Sequence, residues 1–383
     1  MTERALSEVS WRLTAGGVPS DAWVVAGANV RDALSDLYTA SLVVAMEPGG
    51  EALHGLIGEA ALLEAQRGDV VHRLQGIVRS VEDLGTTASH RLAALEVVPA
   101  LWLLSQRSDV RLFQNRNVLD VIRSVLAQAG IYQGPYGLRV DPSLEAMPAR
   151  EYLVQYGESD LAFVRRLLED EGVPFRFEHK ADGGETLVLA GDEHVWPEVL
   201  TLDGVVRVMD GGDGTAADES VRWFDERHEV RTASVTLRDY DFSRPRASLD
   251  MTARHGASGA RLARYEYPAR AAIGAYDEAA STYRAHNTAR LARVRAEEHL
   301  CRVHRGRGRG NLLGMQAGTR FTLTGHERPE LDATYVVTEV VHRVSAWHVL
   351  PEALRSSARV RAMLDEAGVD VPRPDAERRY ENS

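Results

Sequence analysis

For about its first hundred residues the chain returns an apolar side chain at every second position. Val9-Trp11-Leu13, Trp23-Val25 and the run from Leu74 to Val78 follow this rhythm, as does HRLAALEVVPALWLL from His90. A period of two puts alternate side chains on opposite faces of an extended chain, so one face can be buried and the other wetted. Pro48-Gly49-Gly50, Gly68-Asp69 and Gly85-Thr86-Thr87 supply the turns between the runs. The pattern predicts an antiparallel meander over residues 1–106 that closes into a barrel.

The period changes at Phe113. In NVLDVIRSVLAQAG, Val118, Val121, Ile122, Val125 and Leu126 recur at three and four, with Asn117 placed as N-cap and Gly130 as terminator. A second helix follows in ESDLAFVRRLLEDEG, capped by Glu158 or Ser159, buried through Leu161, Val164, Leu167 and Leu168, and stopped by Gly172 before Pro174. Phe175 and Phe177 then alternate with Arg176 and Glu178, and ADGG turns the chain into TLVLAG. Residues 107–195 therefore read as an α+β module, followed by a loop or linker over 196–220 that contains GGDGTAADES. Strand patterns return in HEVRTASVTLRDYDF, RLARYEYPAR, TRFTLTG and TYVVTEVVHRV, interrupted by an Ala-, Arg- and Glu-rich stretch predicted as a helix over 281–303. Residues 221–346 thus form a second barrel-like unit, and 347–383, with the helical stretch SSARVRAMLDEAG, an arm. The predicted class is mainly β with an α+β insertion.

The bulk numbers exclude several classes. With 383 residues, 44% of them hydrophobic, the chain has enough apolar surface for two or three cores. Its 45 Lys and Arg against 56 Asp and Glu leave a formal charge of -11, which opposes general binding to nucleic acid. The single cysteine, Cys301, makes neither an internal disulfide nor a thiolate-rich metal site, which points to folding in the cytoplasm. The N-terminus shows no basic segment leading into an apolar one, and no apolar run reaches the ~18 residues of a membrane span, so stable membrane insertion is not expected.

The second helix carries Glu158, Asp160, Glu169, Asp170, Glu171 and, just beyond, Glu178. Glycosidase or hydrolase chemistry needs carboxylates converging in a cleft, and these spread around a helix. Glu169, Asp170 and Glu171, at the end where the helix dipole disfavours anions, read as a water-facing run and a candidate docking face. Glu297, Cys301 and His304, with His299 nearby, have helical spacing for a metal but no second ligand cluster, and a buried free cysteine at a helix end is the simpler expectation. RGRGRG at 305–310 is one arginine-glycine copy without interleaved aromatics, read as a flexible turn with exposed arginines. Ser41, Ser80 and Ser105 lie in no GxSxG elbow, and neither GxGxxG nor GxxxxGK[ST] occurs. No catalytic, cofactor-binding or metal residue is assigned, and no enzyme is predicted.

Five ordered segments carry a resemblance. RLQGIVRSVE with HRLAALEVVPALWLLSQRSDVRLFQNRNVLDVIRSVL, YLVQYGESDLAFVRRLLEDEGVPFRFEH with LVLAGD, and GTRFTLTGHERPELDATYVVTEVVHRV resemble the N-terminal hub region of the VgrG family, the spike proteins of type VI secretion systems, from about Trp11 to His342. The family is similar to the tail hubs of contractile phages and extracellular injection devices. The resemblance implies a homotrimer of two β-barrels per protomer, a pseudo-hexameric ring stacked on an Hcp-like hexameric tube protein, with the α+β module outside facing baseplate proteins. It also implies assembly in the cytoplasm, translocation without a signal peptide, and effector delivery through a needle and PAAR tip. The family continues into an OB-fold and that needle, whereas this sequence ends at Tyr380-Glu381-Asn382-Ser383, so the resemblance implies a fragment of a longer spike. A hub-fused cell-wall hydrolase is the competing class, and a nucleic-acid-binding module, resting on RGRGRG alone, the third.

Overall fold

A computed structural model describes residues 9–47, 53–86, 90–134, 137–181, 184–191, 194–209, 219–241, 244–246, 249–254, 261–269, 273–285, 288–345, 350, 352–358, 361–362 and 379–382. The two-period segments become strands β1 (Ser10–Ala15), β2 (Trp23–Ala33), β3 (Thr39–Met46), β4 (Ala60–Arg67), β5 (Val70–Thr86) and β6 (Arg91–Val98). Along β5 buried and partly exposed positions alternate from Val70 to Val78, the signature read from the sequence. Their order is β1-β4-β5-β6-β3-β2, and the sheet curls until β1 packs against β2.

The middle of the chain supplies β7 (Ser108–Arg116), helix α1 (Val118–Ala129), β8 (Leu138–Val140), β9 (Arg150–Ser159), helix α2 (Asp160–Glu171), β10 (Phe175–His179) and β11 (Glu185–Leu189). The caps are those the sequence predicts. Asn117 Oδ1 accepts from the Asp120 amide at 2.7 Å and Ser159 Oγ from the Ala162 amide at 3.1 Å, and Gly130 and Gly172 close the helices with left-handed backbone. β10 and β11 pair as a hairpin, with β8 added in parallel. The apolar faces of α1 and α2 join Leu13, Leu42, Leu63 and Val97 of the curled sheet in one continuous core.

The rest comprises β12 (Val206–Arg207), β13 (Val221–His228), β14 (Ser234–Arg238), β15 (Asp250–Arg254), β16 (Ala263–Glu266), β17 (Ile273–Asp277), β18 (Thr282–Ala285), helix α3 (Thr288–Leu300), β19 (His304–Gly310), β20 (Arg320–Thr324), β21 (Thr334–Val336), β22 (Glu339–Ser345), the short helix α4 (Glu352–Arg355) and β23 (Arg379–Asn382). β22 pairs with β2 over seven residues, from Gly27↔Ser345 to Ala33↔Glu339, so the two β-rich segments share one ten-stranded sheet that continues β2-β22-β23-β19-β13. A second core gathers Val221, Phe224, Leu312, Phe321 and Leu323, and a third packs α3 through Leu291, Ala292 and Ala296 on Val235 and Leu237.

Three expectations are corrected. The helix expected over 281–303 starts at Thr288, because residues 282–285 are drawn into a strand with β17. RGRGRG is no flexible turn: it is β19, antiparallel to β13, and its glycines answer to Phe224, whose ring would lie 2.2 Å from a Cβ on Gly306. Alternation then turns Arg305, Arg307 and Arg309 to the opposite, exposed face. The C-terminal arm is partly structural, since Leu350 and Leu354 are buried against Ala26, Val43 and Leu92, and β23 sits between β22 and β19. GGDGTAADES and the helix expected over 356–368 fall largely outside the described residues.

Two buried polar clusters join the layers. Glu185 meets Tyr38 Oη, Tyr132 Oη and the Ala100 amide, the last at 3.2 Å. Tyr38 Oη also contacts the Gln75 carbonyl oxygen, which only accepts. Tyr38 Oη thus faces two acceptors, the Gln75 carbonyl and the Glu185 carboxyl, and burial pushes that carboxyl up to about 7. Next to it the Gln75 amide donates to His179 Nδ1 at 3.0 Å, and burial pushes His179 down to about 4. Between β5 and β22, His72 and His342 lie with ring centroids 4.8 Å apart. His342 Nε2 donates to the Met315 carbonyl at 2.9 Å, and His72 Nδ1 meets the Gln316 amide nitrogen at 3.2 Å. Burial pushes His342 down to about 4 and His72 well below the usual imidazole range.

Candidate assembly surface

The acid run of α2 is divided by the fold. Glu169 is exposed and lines an open groove of about 760 Å³ that also receives Glu297, Glu298, Arg31 and Arg165. Asp170 is half-buried, 3.2 Å from Arg295 and 3.8 Å from Arg150. Glu171 is buried, paired with Arg150 and with Arg290 at 3.3 Å, and Arg290 also donates to the Glu171 carbonyl at 2.9 Å. The expectation that all three acids face water is thus corrected for Glu171. The reason is α3, which docks on the C-terminal end of α2 so closely that a Cβ on Gly172 would lie 2.1 Å from Val294. Two of the three acids hold α2 to α3, which leaves Glu169 as the candidate for outside contact.

At the other end of α2, Asp160 is buried against Arg107 at 3.0 Å, Gln155 at 2.9 Å, and Arg111. Burial pushes its carboxyl up, but the hydrogen bonds from Gln155 and Arg107 and the charge of Arg111 prevail and hold it below the usual range. It is an anchor for the β7–α2 junction. Glu158 pairs with Arg166 on the surface. Glu297, Cys301 and His304 are not brought together. Glu297 pairs with Arg293 on α3, Cys301 is exposed beyond the helix end instead of buried, and His304 opens β19 and hydrogen-bonds to Glu226.

Sequence reasoning missed an exposed apolar ribbon. β7 and β9 pair as a two-stranded ribbon whose inner face carries Phe113, Leu153 and Gln155. On the outer face the register sets Val110 beside Tyr156, Leu112 beside Val154 and Gln114 beside Tyr152. Tyr156 is 82% exposed and Val110 64%, and Leu112, Tyr152 and Val154 are also open. A contiguous apolar face of this kind is the mark of an interaction site on a folded protein. The signal was present in SDVRLFQNR and REYLVQYGES, where apolar residues occupy both parities of the strand, more than one buried face requires.

The scaffold is mainly β, shares one sheet between distant segments, fills its interior with packed side chains, and leaves an apolar ribbon open. The chain belongs to the phage tail baseplate hub (GPD) family, whose model matches residues 31–347. It is 33% identical over 333 residues to the type VI secretion system spike protein VgrG5 of Pseudomonas aeruginosa, covering 85% of this chain and 39% of that protein. Spike protein VgrG4b of the same organism is 31% identical, covering 82% and 34%. The chain therefore spans little more than a third of the length of these relatives. Among solved structures, the c3393 protein of E. coli, a component of the type VI secretion system, aligns with TM-score 0.61 at 17% identity, covering 97% of this chain and 75% of that one. The tail protein from Neisseria meningitidis aligns with TM-score 0.58 at 14% identity, covering 88% and 92%.

Proposed function

We propose that the chain is the hub segment of a contractile injection spike of the type VI class, assembling as a homotrimer and carrying no catalytic site. Residues 1–106 and 221–346 are the two hub units in this reading, with 107–195 on the outside. The observation that carries it is the open apolar face of β7 and β9, with Val110, Leu112, Tyr152, Val154 and Tyr156 in register. Obligate assemblies bury such faces, with aromatic residues at the centre and charge at the rim. Spike relatives at 33% and 31% identity favour type VI secretion over a phage tail or an extracellular device. Among the described residues no helix is long and apolar enough to cross a membrane. The partners this implies are an Hcp-like hexameric tube protein, baseplate proteins, and a PAAR tip and effectors carried by the rest of a longer spike.

The test is the mass of the purified chain in solution, by sedimentation velocity or mass photometry, together with co-sedimentation with the tube protein. The wild type is expected as a trimer that pellets with tubes. Leu112→Lys with Tyr156→Lys should leave the circular dichroism and melting curve intact and yield a monomer. A wild-type monomer that ignores tubes refutes the proposal.

A further inference from the structure

We propose that Glu226, His228 and His304 form a binding site for one first-row divalent transition-metal ion, which staples β13 to β19. Strand geometry brings the three together. Glu226 and His228 are two apart on β13 and so project from the same face. In the antiparallel register His304 stands directly opposite His228, and Gly306 stands opposite Glu226. The space over Gly306 is taken by the Phe224 ring, which walls the site on that side and leaves the carboxylate facing the two imidazoles.

The donor atoms converge. Glu226 Oε2 lies 2.7 Å from His304 Nε2 and 3.2 Å from His228 Nε2, and the three donors lie within 4.8 Å of one another. The remaining carboxylate oxygen, Oε1, is taken by Arg328. That contact fixes the carboxylate so that a single oxygen faces both imidazoles, the arrangement in which an outer partner orients a metal ligand. With bonds of about 2.0 to 2.2 Å, tetrahedral ligation separates donor atoms by roughly 3.3 Å, close to the two carboxylate–imidazole spacings already present. The imidazole planes are parallel, 2° apart with centroids at 4.5 Å, and must turn for both lone pairs to point at one ion. Both histidines are exposed, so that rotation meets no packed core. Two imidazoles and a carboxylate select zinc, nickel or copper over magnesium or calcium, and leave a fourth position to water. β13 is the outermost strand at its end of the ten-stranded sheet, so the ion would pin an edge.

Untagged, chelator-stripped chain titrated with zinc chloride near neutral pH tests the site, with calorimetry for stoichiometry and a melting curve for stabilisation. One zinc per chain is expected, with a higher melting temperature in its presence. His228→Ala, His304→Ala and Glu226→Gln should each weaken binding by about 10-fold or more, while His299→Ala and Cys301→Ser bind as wild type. Cobalt(II) added to the wild-type chain gives a second readout independent of any variant: strong visible bands of a four-coordinate ion, without thiolate charge transfer. Failure to bind zinc, unchanged binding in His304→Ala, or a cobalt spectrum no different from the hydrated ion would overturn the proposal.

Discussion

Acid should loosen this fold well before its ordinary carboxylates titrate. His179 and His342 are buried and pushed down to about 4, against 6.5 in an unfolded chain. Between those values the unfolded chain takes up protons that the folded one refuses, so stability is complete above about 6.5 and falls as the pH drops toward 4. That gap corresponds to about 3 kcal/mol for each histidine. His179 has a specific reason to resist, because its Nδ1 accepts from the Gln75 amide and a proton there removes the acceptor. His72, also pushed down, adds to the loss. Glu185 acts in the opposite sense. Its folded value, about 7, exceeds the unfolded 4.5, so it stabilises at low pH and loses that contribution, again about 3 kcal/mol, as pH rises from 4.5 through 7. From pH 6.5 to 4.5 each group changes its contribution by about 2 kcal/mol, so two histidines against one carboxyl leave a net loss of roughly 2 kcal/mol, before His72 is counted. Guanidinium denaturation across this range measures it. Glu185→Gln removes the opposing contribution, so its acid loss over this range should be about 2 kcal/mol larger than that of the wild type. Stability that stays level or rises between pH 6.5 and 4.5 would refute the reasoning, as would a Glu185→Gln profile parallel to the wild type.

Two further substitutions separate buried from exposed roles. Glu171→Ala leaves Arg150 and Arg290 facing each other without their shared carboxylate and should cost roughly 3 kcal/mol in chemical denaturation, whereas Glu169→Lys should fall within about 0.5 kcal/mol of wild type. Gly306→Ala forces the new methyl into the Phe224 ring and should cost about 1–3 kcal/mol, read as a lowered melting temperature.

Local rules carried much of the reading. Asn117, Ser159, Gly130 and Gly172 mark their helix ends by chemistry that acts within four residues, and the β5 alternation needs no distant partner. What stayed hidden depends on residues far apart in the chain. Nothing near Glu171 announces that Arg290 will cover it, and nothing in RGRGRG says that its glycines are shaped by Phe224. The Ala-, Arg- and Glu-rich composition begins only at Thr288, and the preceding Ser281-Thr282-Tyr283-Arg284-Ala285 has weaker helix propensity and pairs through 282–285 with β17. β7 and β9 carry apolar residues in both parities, Val110 and Leu112 with Phe113, and Tyr152 and Val154 with Leu153, but which parity is buried depends on their pairing across some 40 residues.

The seam between β2 and β22 also bears on how the chain reaches its native state. Ala33 waits for a strand partner about 300 residues downstream, which at about 5–20 residues per second arrives on the order of 15 to 60 s after β2 leaves the ribosome. Until then one side of β2 presents unpaired amides and carbonyls in an apolar strand, an open template for pairing with a neighbouring nascent chain. Closing so long a loop is also the slow kind of step in folding. Yield of this protein should therefore be governed less by its final stability than by what shields β2 during synthesis.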